Sequence, residues 1–344
     1  TCSIEHELNS IQYPNKPIQN LSSDWENVVK AIYENDNFGP ELNKTGYYEE
    51  DLNTILAGTT SPEEKIAAIQ NMLVLEGHVG LIRPEEQKSW VIPLYQRQSA
   101  LLPGRACDEF IEGLKILHIS EQQVPRFAEL NQQLLALTGW QIVAVHGLIP
   151  DATFFEHLAN RRFPVTWWIR EAHQLDYLQE PDVFHDLFGH VPLLANPSFA
   201  DYLQAYGIGG LKANSQGALP MLARLYWYTV EFGLIKTPKG LRIYGAGIVS
   251  SQTESLFSLE SSSPNRIEFD LLRIMRTHYQ IDSFQNSYFV INSFKDLMNA
   301  TAPDFSPYYE QLAGLATIAA ASTQDSDTVL HYGDQLAIPN IPSP

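Results

Sequence analysis

The chain has 344 residues, 44% of them hydrophobic and 18% charged, and its net charge is −18. That length allows one large or two ordinary domains with a sizeable core, and that acidity excludes nucleic acid and anionic membrane surfaces as partners. Two cysteines, Cys2 and Cys107, make no disulfide framework and suit a reducing compartment. No basic segment followed by an apolar one opens the chain, and no apolar run is long enough to span a bilayer, so a cytoplasmic protein is expected.

Residues 1–60 are polar, with Asn, Pro and Gly scattered through them and one short helix near Asp24–Tyr33. Ser61-Pro62-Glu63-Glu64 reads as a capping box, opening a helix to about Glu76 with Ile66, Ile69 and Leu73 on one stripe. Residues 105–118 predict a second helix with Phe110, Ile111, Leu114 and Leu117 on one face. A third helix runs from about Val124 to Thr138, stopped by Gly139. Trp140–Val145 reads as a short strand. Asp151 can cap a helix carrying Phe154 and Phe155, and Val165–Ile169 is strand-like.

Residues 180–192 read Glu-Pro-Asp-Val-Phe-His-Asp-Leu-Phe-Gly-His-Val-Pro. His185 and His190 are metal-type ligands five residues apart. On a straight α-helix five residues turn by about 500°, which leaves the two side chains about 140° apart. One ion can take both only if Gly189 and Pro192 distort the helix end and swing His190 back. Two histidines near an apolar helix are more often partnered core or surface residues than ligands. The spacing is not the His-Glu-x-x-His of zinc hydrolases, whose ligands share a face at i and i+4.

Residues 206–220, rich in Gly and Asn, read as loop, followed by a helix from about Pro220 to Ile235. Glu231 is the sole charge in its apolar and aromatic run, Leu-Tyr-Trp-Tyr-Thr-Val-Glu-Phe-Gly. A buried lone carboxylate is costly unless a cation meets it. That cation is either a metal, completing a two-His, one-carboxylate triad of the non-haem iron type, or Arg224, seven residues earlier on the same face. Residues 241–249 suggest strand, turn, strand. Ser306–Ala321 suggests a helix, and the polar segment after Thr323 ends in a Pro-rich run unsuited to regular structure.

EPDVFHDLFGHVPLL (180–194), PSFADY (197–202), LYWYTVEFGL (225–234) and YGAGIVSS (244–251) resemble the pterin-dependent aromatic amino acid hydroxylases, and within them the bacterial phenylalanine hydroxylase branch. The resemblance runs from about Trp90 to about Leu297 in the family's order. It implies a mainly α catalytic-domain fold with a few short β-strands. It also implies Fe(II) held by His185, His190 and Glu231, with a tetrahydropterin (tetrahydrobiopterin or a bacterial equivalent) and O2 as partners in hydroxylating phenylalanine to tyrosine.

By the same resemblance, Phe154 stacks on the pterin ring, backbone groups near Gly147 and Leu148 bond its edge, and Asp186, Ala223 and Tyr226 lie beside it. Arg170 clamps the substrate carboxylate, a task suited to a planar two-pronged donor, and Trp227 walls the substrate ring. Ser250 supports an iron-ligating His and the substrate site, with Glu254 a further candidate for that network. Ile281 stands where tyrosine hydroxylases carry Asp and phenylalanine hydroxylases an aliphatic residue, which points to phenylalanine as substrate, with tryptophan or another aromatic amino acid at the same site as the alternative. Leu178-Gln179 departs from the Thr-Pro pair usual in animal members. The expected organisation is an N-terminal extension (1–75), a catalytic domain (76–310) and a C-terminal helix with a polar tail (311–344). No heptad pattern is present, so a monomer is expected.

Overall fold

The computed structural model describes residues 94–121, 125, 127–145, 149–166, 170, 181–281, 283–301 and 304–336. The helices expected at 24–33 and 61–76, the extension 1–75, Gly147, Leu148 and residues 171–180 lie outside the described residues.

The chain enters through α1 (Gln96–Leu101) and α2 (Asp108–Ile116), whose Phe110 and Leu114 are buried as their spacing requires. α3 (Phe127–Leu137) ends at Gly139, which takes φ +72°, a conformation costly for residues with a side chain. A parallel pair follows, β1 (Gln141–Val145) and β2 (Arg162–Thr166), linked by α4 (Asp151–Ala159). Asp151 sits in the first turn of α4, where its charge suits the helix dipole, while Pro150 precedes the helix without a side-chain cap.

After the His185–His190 turn and a 3-10 turn over Val191–Ala195 comes α5 (Pro197–Ser215), the longest described helix at 19 residues. The loop expected at 206–220 is thus mostly helix. Its glycines serve packing rather than turning. A Cβ on Gly210 would lie 1.9 Å from the Phe155 ring, so α4 can approach only where α5 has no side chain.

α6 (Leu219–Tyr226) continues as a π-helical turn over Trp227–Glu231 and stops there. The helix expected to reach Ile235 gives way to β3 (Leu234–Thr237), which pairs with β4 (Gly240–Ile243). The second strand expected before residue 249 is instead a short helix, α7 (Ala246–Val249), followed by α8 (Gln252–Glu260). Gly245 makes the junction. A Cβ there would lie 2.4 Å from the Glu231 carbonyl oxygen, so close backbone approach decides the local fold.

β5 (Asn265–Glu268), α9 (Leu271–Arg276), β6 (Ser287–Ile291), α10 (Phe294–Thr301), α11 (Ser306–Leu312) and β7 (Val329–His331) complete the described chain. The sheet runs β4-β3-β6-β5-β7, with β3/β6 and β5/β6 parallel and the two edge pairs antiparallel. β6 is buried throughout. α11 ends at Leu312, short of the expected Ala321, and Gly314 takes φ +76° just beyond it. The polar segment after Thr323 contributes the edge strand β7, and the Pro-rich run at its end lies outside the described residues. One continuous core packs the helices and the sheet together, and it includes Trp140, Phe184, Phe188, Tyr202 and Tyr228.

Candidate metal centre and active site

Two π-helical turns build the centre. Residues His185–His190 form one, and the Val191 N–H reaches back five residues to the Asp186 carbonyl. A π turn closes i→i+5 hydrogen bonds, and it winds by a smaller angle per residue than an α-helix. The spacing that an α-helix would splay therefore brings both imidazoles to one side. This replaces the expected end-of-helix swing. Trp227–Glu231 form the second π turn, closed by Phe232 N–H to the Trp227 carbonyl at 2.8 Å.

His190 Nε2 lies 3.0 Å from His185 Nε2 and 3.1 Å from Glu231 Oε1, and His185 Nε2 lies 3.5 Å from Glu231 Oε2. Ligands about 2.1 Å from an ion on neighbouring octahedral positions sit about 3 Å apart, so the three groups fit a shared divalent cation. Arg224 is not the partner of Glu231. It donates to the Met275 carbonyl at 2.9 Å.

The tautomer of His185 is set by its outer neighbour. Ser250 Oγ donates to the Ala246 carbonyl at 2.7 Å and lies 2.9 Å from His185 Nδ1. With its hydroxyl proton committed, Ser250 accepts from Nδ1–H, and Nε2 keeps its lone pair for the centre. Burial lowers the His185 pKa to about 4, so the ring is neutral and ligand-competent at pH 7. Burial also opposes charge on His190 and Glu231, but their mutual attraction overrides it, raising His190 and lowering Glu231.

Asp186 offers a second carboxylate, and its ligand oxygen lies within 4.8 Å of the two imidazole ligand atoms. Its Oδ2 is already taken by Thr166 N and Thr166 Oγ1, each at 2.7 Å. Glu231, touching both imidazoles, is the better-placed third ligand. Burial raises Asp186 to about 7, against the pull of His190 and the Thr166 bonds.

Arg170, 6% exposed, forks onto Asp182 through Nε and Nη2, both at 2.8 Å, and its ring-stacking face lies over Phe184. Asp182 also accepts from the His185 backbone N–H at 2.9 Å. The fork holds the Asp182 pKa below its ordinary value despite complete burial. Asp182 thus joins the guanidinium to the metal-side helix.

Ala223, Tyr226, Trp227 and Glu231 follow one face of α6 and its π turn. Tyr226 packs edge-on to Phe154 at 5.5 Å and stacks toward His190 at 6.3 Å. The aromatic pair and the imidazoles therefore form one wall. Trp227 stacks on Tyr279 at 4.4 Å. Tyr279, Gln285, Thr166 and Asp182 are members that sequence reasoning missed as site residues. Their signal is weak, since each is a polar or aromatic residue in a mixed segment. Ile281 is 68% exposed, so Tyr279 is what its loop brings to Trp227. Glu254 accepts from Tyr288 OH at 2.8 Å, whereas the Ser250 hydroxyl goes to the Ala246 carbonyl.

Residues 79–312 match the family model of the biopterin-dependent aromatic amino acid hydroxylases. The chain is 68% identical to the phenylalanine-4-hydroxylase of Chromobacterium violaceum over 251 residues, covering 73% of this chain and 84% of that one. It is also 68% identical to that of Ralstonia nicotianae over 240 residues, 70% and 77% of the two chains. The crystal structure of the Chromobacterium violaceum phenylalanine hydroxylase with bound oxidised Fe(III) superposes with a TM-score of 0.73 at 61% identity, covering 81% of this chain and 98% of that one. On the strength of the site and these likenesses, the chain belongs to the biopterin-dependent aromatic amino acid hydroxylases.

Proposed function

We propose that this protein is a monooxygenase that converts L-phenylalanine and O2 to L-tyrosine with Fe(II) and a tetrahydropterin. The observation that carries the proposal is the convergence of His185 Nε2, His190 Nε2 and the Glu231 carboxylate, with its two oxygens 3.1 and 3.5 Å from the imidazoles, beside an aromatic wall. Two imidazoles and one carboxylate on one side of an ion leave its other positions open. Iron and tetrahydropterin, when bound, activate O2 so that one oxygen atom goes to the para carbon of the substrate ring and the other to the pterin.

The chain's own residues do the rest. Ser250 keeps the His185 lone pair facing the ion. Arg170, preset by Asp182, presents a planar cation for the amino acid carboxylate. Trp227 walls the substrate ring, and Ile281 is assigned to substrate preference through its loop. Phe154 supplies a stacking face for the pterin ring, with Ala223, Tyr226 and Asp186 alongside and the backbone at Gly147 and Leu148 assigned to its edge. The apolar surround keeps water from the reacting groups.

The catalytic unit is assigned to 76–310, with 1–75 as an extension. Among the described residues no helix is long and apolar enough to cross a membrane. We assign the protein to the cytoplasm as a monomer that binds small molecules and neither nucleic acid nor membrane, on its acidity and lack of heptads. Light scattering that gave a tetramer mass would overturn the monomer.

The test is tyrosine formation from phenylalanine, read by chromatography, with Fe(II) and tetrahydropterin each supplied or withheld. Product that needs both additions and oxygen supports the assignment. Turnover of tryptophan but not phenylalanine overturns the substrate.

A further inference from the structure

Trp227 is held on three sides. Its ring lies 4.4 Å from Tyr279 at 18° and 4.7 Å from Phe232 at 36°. Its Nε1–H donates to Gln285 Oε1 at 2.9 Å. Stacking alone lets a flat ring slide and turn in its own plane. A hydrogen bond at the ring edge removes that freedom.

Gln285 can act as a fixed stop because it is itself immobilised. It is 3% exposed. Its Nε2 donates to the Gln280 carbonyl at 3.2 Å and the Ser283 carbonyl at 3.4 Å. The opposite amide orientation would set N–H against N–H and carbonyl against two carbonyls, so the surroundings permit one orientation. Its backbone N–H bonds Glu254, which also accepts from Tyr288 OH at 2.8 Å. The amide is thereby tied to α8 and β6, two elements that carry no metal ligand.

We propose that Gln285 is a positioning residue for the aromatic substrate, acting through Trp227 by fixing the angle of the indole wall against which the substrate ring lies. The inference rests on the assignment of Trp227 to the substrate pocket. Trp227 stands one turn before Glu231, so a tilt of the indole alters where the substrate ring sits relative to the metal ligands. The hydrogen bonds of Gln285 reach Trp227, Gln280, Ser283 and Glu254, and neither Ala223 nor Tyr226.

The test uses the full chain with tryptophan labelled with 15N in the indole, and Gln285→Leu and Gln285→Met as two shape-matched variants without the acceptor. The Trp227 Nε1–H resonance is the one absent from Trp227→Phe. It is expected to move upfield and exchange faster with solvent in both Gln285 variants. The KM for phenylalanine is expected to rise about tenfold, the worth of one hydrogen bond. The KM for tetrahydropterin stays within about twofold, and less tyrosine forms per pterin oxidised. In Trp227→Phe the added Gln285→Leu change costs less than about twofold, because the bond is already gone.

An unmoved indole resonance would overturn the inference, as would equal changes in both KM values or additive effects in the double variant. The resonance is read without turnover. A wild-type chain that made no tyrosine would sink the assigned reaction, and the coupling would then be judged on the resonance and on phenylalanine affinity.

Discussion

Ser250 Oγ lies 2.9 Å from His185 Nδ1, and the same hydroxyl donates to the Ala246 carbonyl at 2.7 Å. The order of these bonds matters more than either alone. Because the carbonyl takes the hydroxyl proton, the hydroxyl must receive the imidazole proton, and the ring is locked with its lone pair toward His190 and Glu231. Ser250→Ala removes the receiver and leaves two tautomers in competition. Iron affinity is expected to fall by about 10- to 100-fold, as loss of an outer hydrogen bond to a ligand His commonly produces. Anaerobic Fe(II) titration measures it, and Ser250→Thr should recover most of the loss. Unchanged affinity in the Ala variant would show that the tautomer is set elsewhere.

Glu231 and Asp186 are rival carboxylates for the third position, and charge-neutral amides separate them. Glu231→Gln is expected to abolish one-to-one iron binding, because its two oxygens touch both imidazoles. Asp186→Asn is expected to keep bound iron, since its Oδ2 serves Thr166. Metal content after dialysis reads both. The reverse pattern would make Asp186 the ligand.

Much of this site is legible in the sequence. Glu231 stands out as one charge among apolar and aromatic neighbours, and the two histidines stand out by residue type. The means of bringing them together does not. A five-residue spacing has no meaning in α periodicity, and only the π turn at His185–His190 gives it one. Gly207, Gly209 and Gly210 suggest loop by composition, yet they lie in α5 because α4 and Phe305 press against them. Local propensity reports what a glycine permits, and tertiary packing decides how that freedom is used. Gln285 and Asp182 carry no local signal, for their partners lie 58 and 12 residues away. The edge strand β7 is hidden for the same reason, since it exists through its pairing with β5.

Glu254 is buried and its pKa is pushed up to about 8 by burial, opposed by the Tyr288 and Gln285 bonds. A carboxylate raised in the folded state is protonated there while its unfolded counterpart is ionised. Its contribution is therefore intact below about pH 4.5, falls as pH rises toward about 8, and is flat above that. Glu254→Gln carries a neutral acceptor at every pH. The variant is expected to gain stability relative to wild type across this window, by a few kcal/mol at most. Urea unfolding of the iron-loaded proteins at pH 5, 7 and 8.5 checks it. A constant difference at all three values would remove Glu254 as the titrating group.

The segment after Leu312 is bound to the catalytic core by a buried ion pair. Arg273 Nε meets Asp327 Oδ1 at 2.9 Å, with side chains 5% and 2% exposed. The same guanidinium donates to the Ser322 carbonyl and lies over the Phe289 ring at 5.6 Å. Arg273 belongs to α9, which packs against α6 and so backs the helix bearing Trp227 and Glu231. Asp327→Ala leaves the guanidinium buried with its charge unmatched, a loss expected to cost about 3–5 kcal/mol. Replacing both partners, as Arg273→Met with Asp327→Leu, removes the stranded charge and should recover part of that loss. Equilibrium unfolding measures all three variants. If Asp327→Ala cost under about 1 kcal/mol, the segment would be a passive tail rather than a strap on the site.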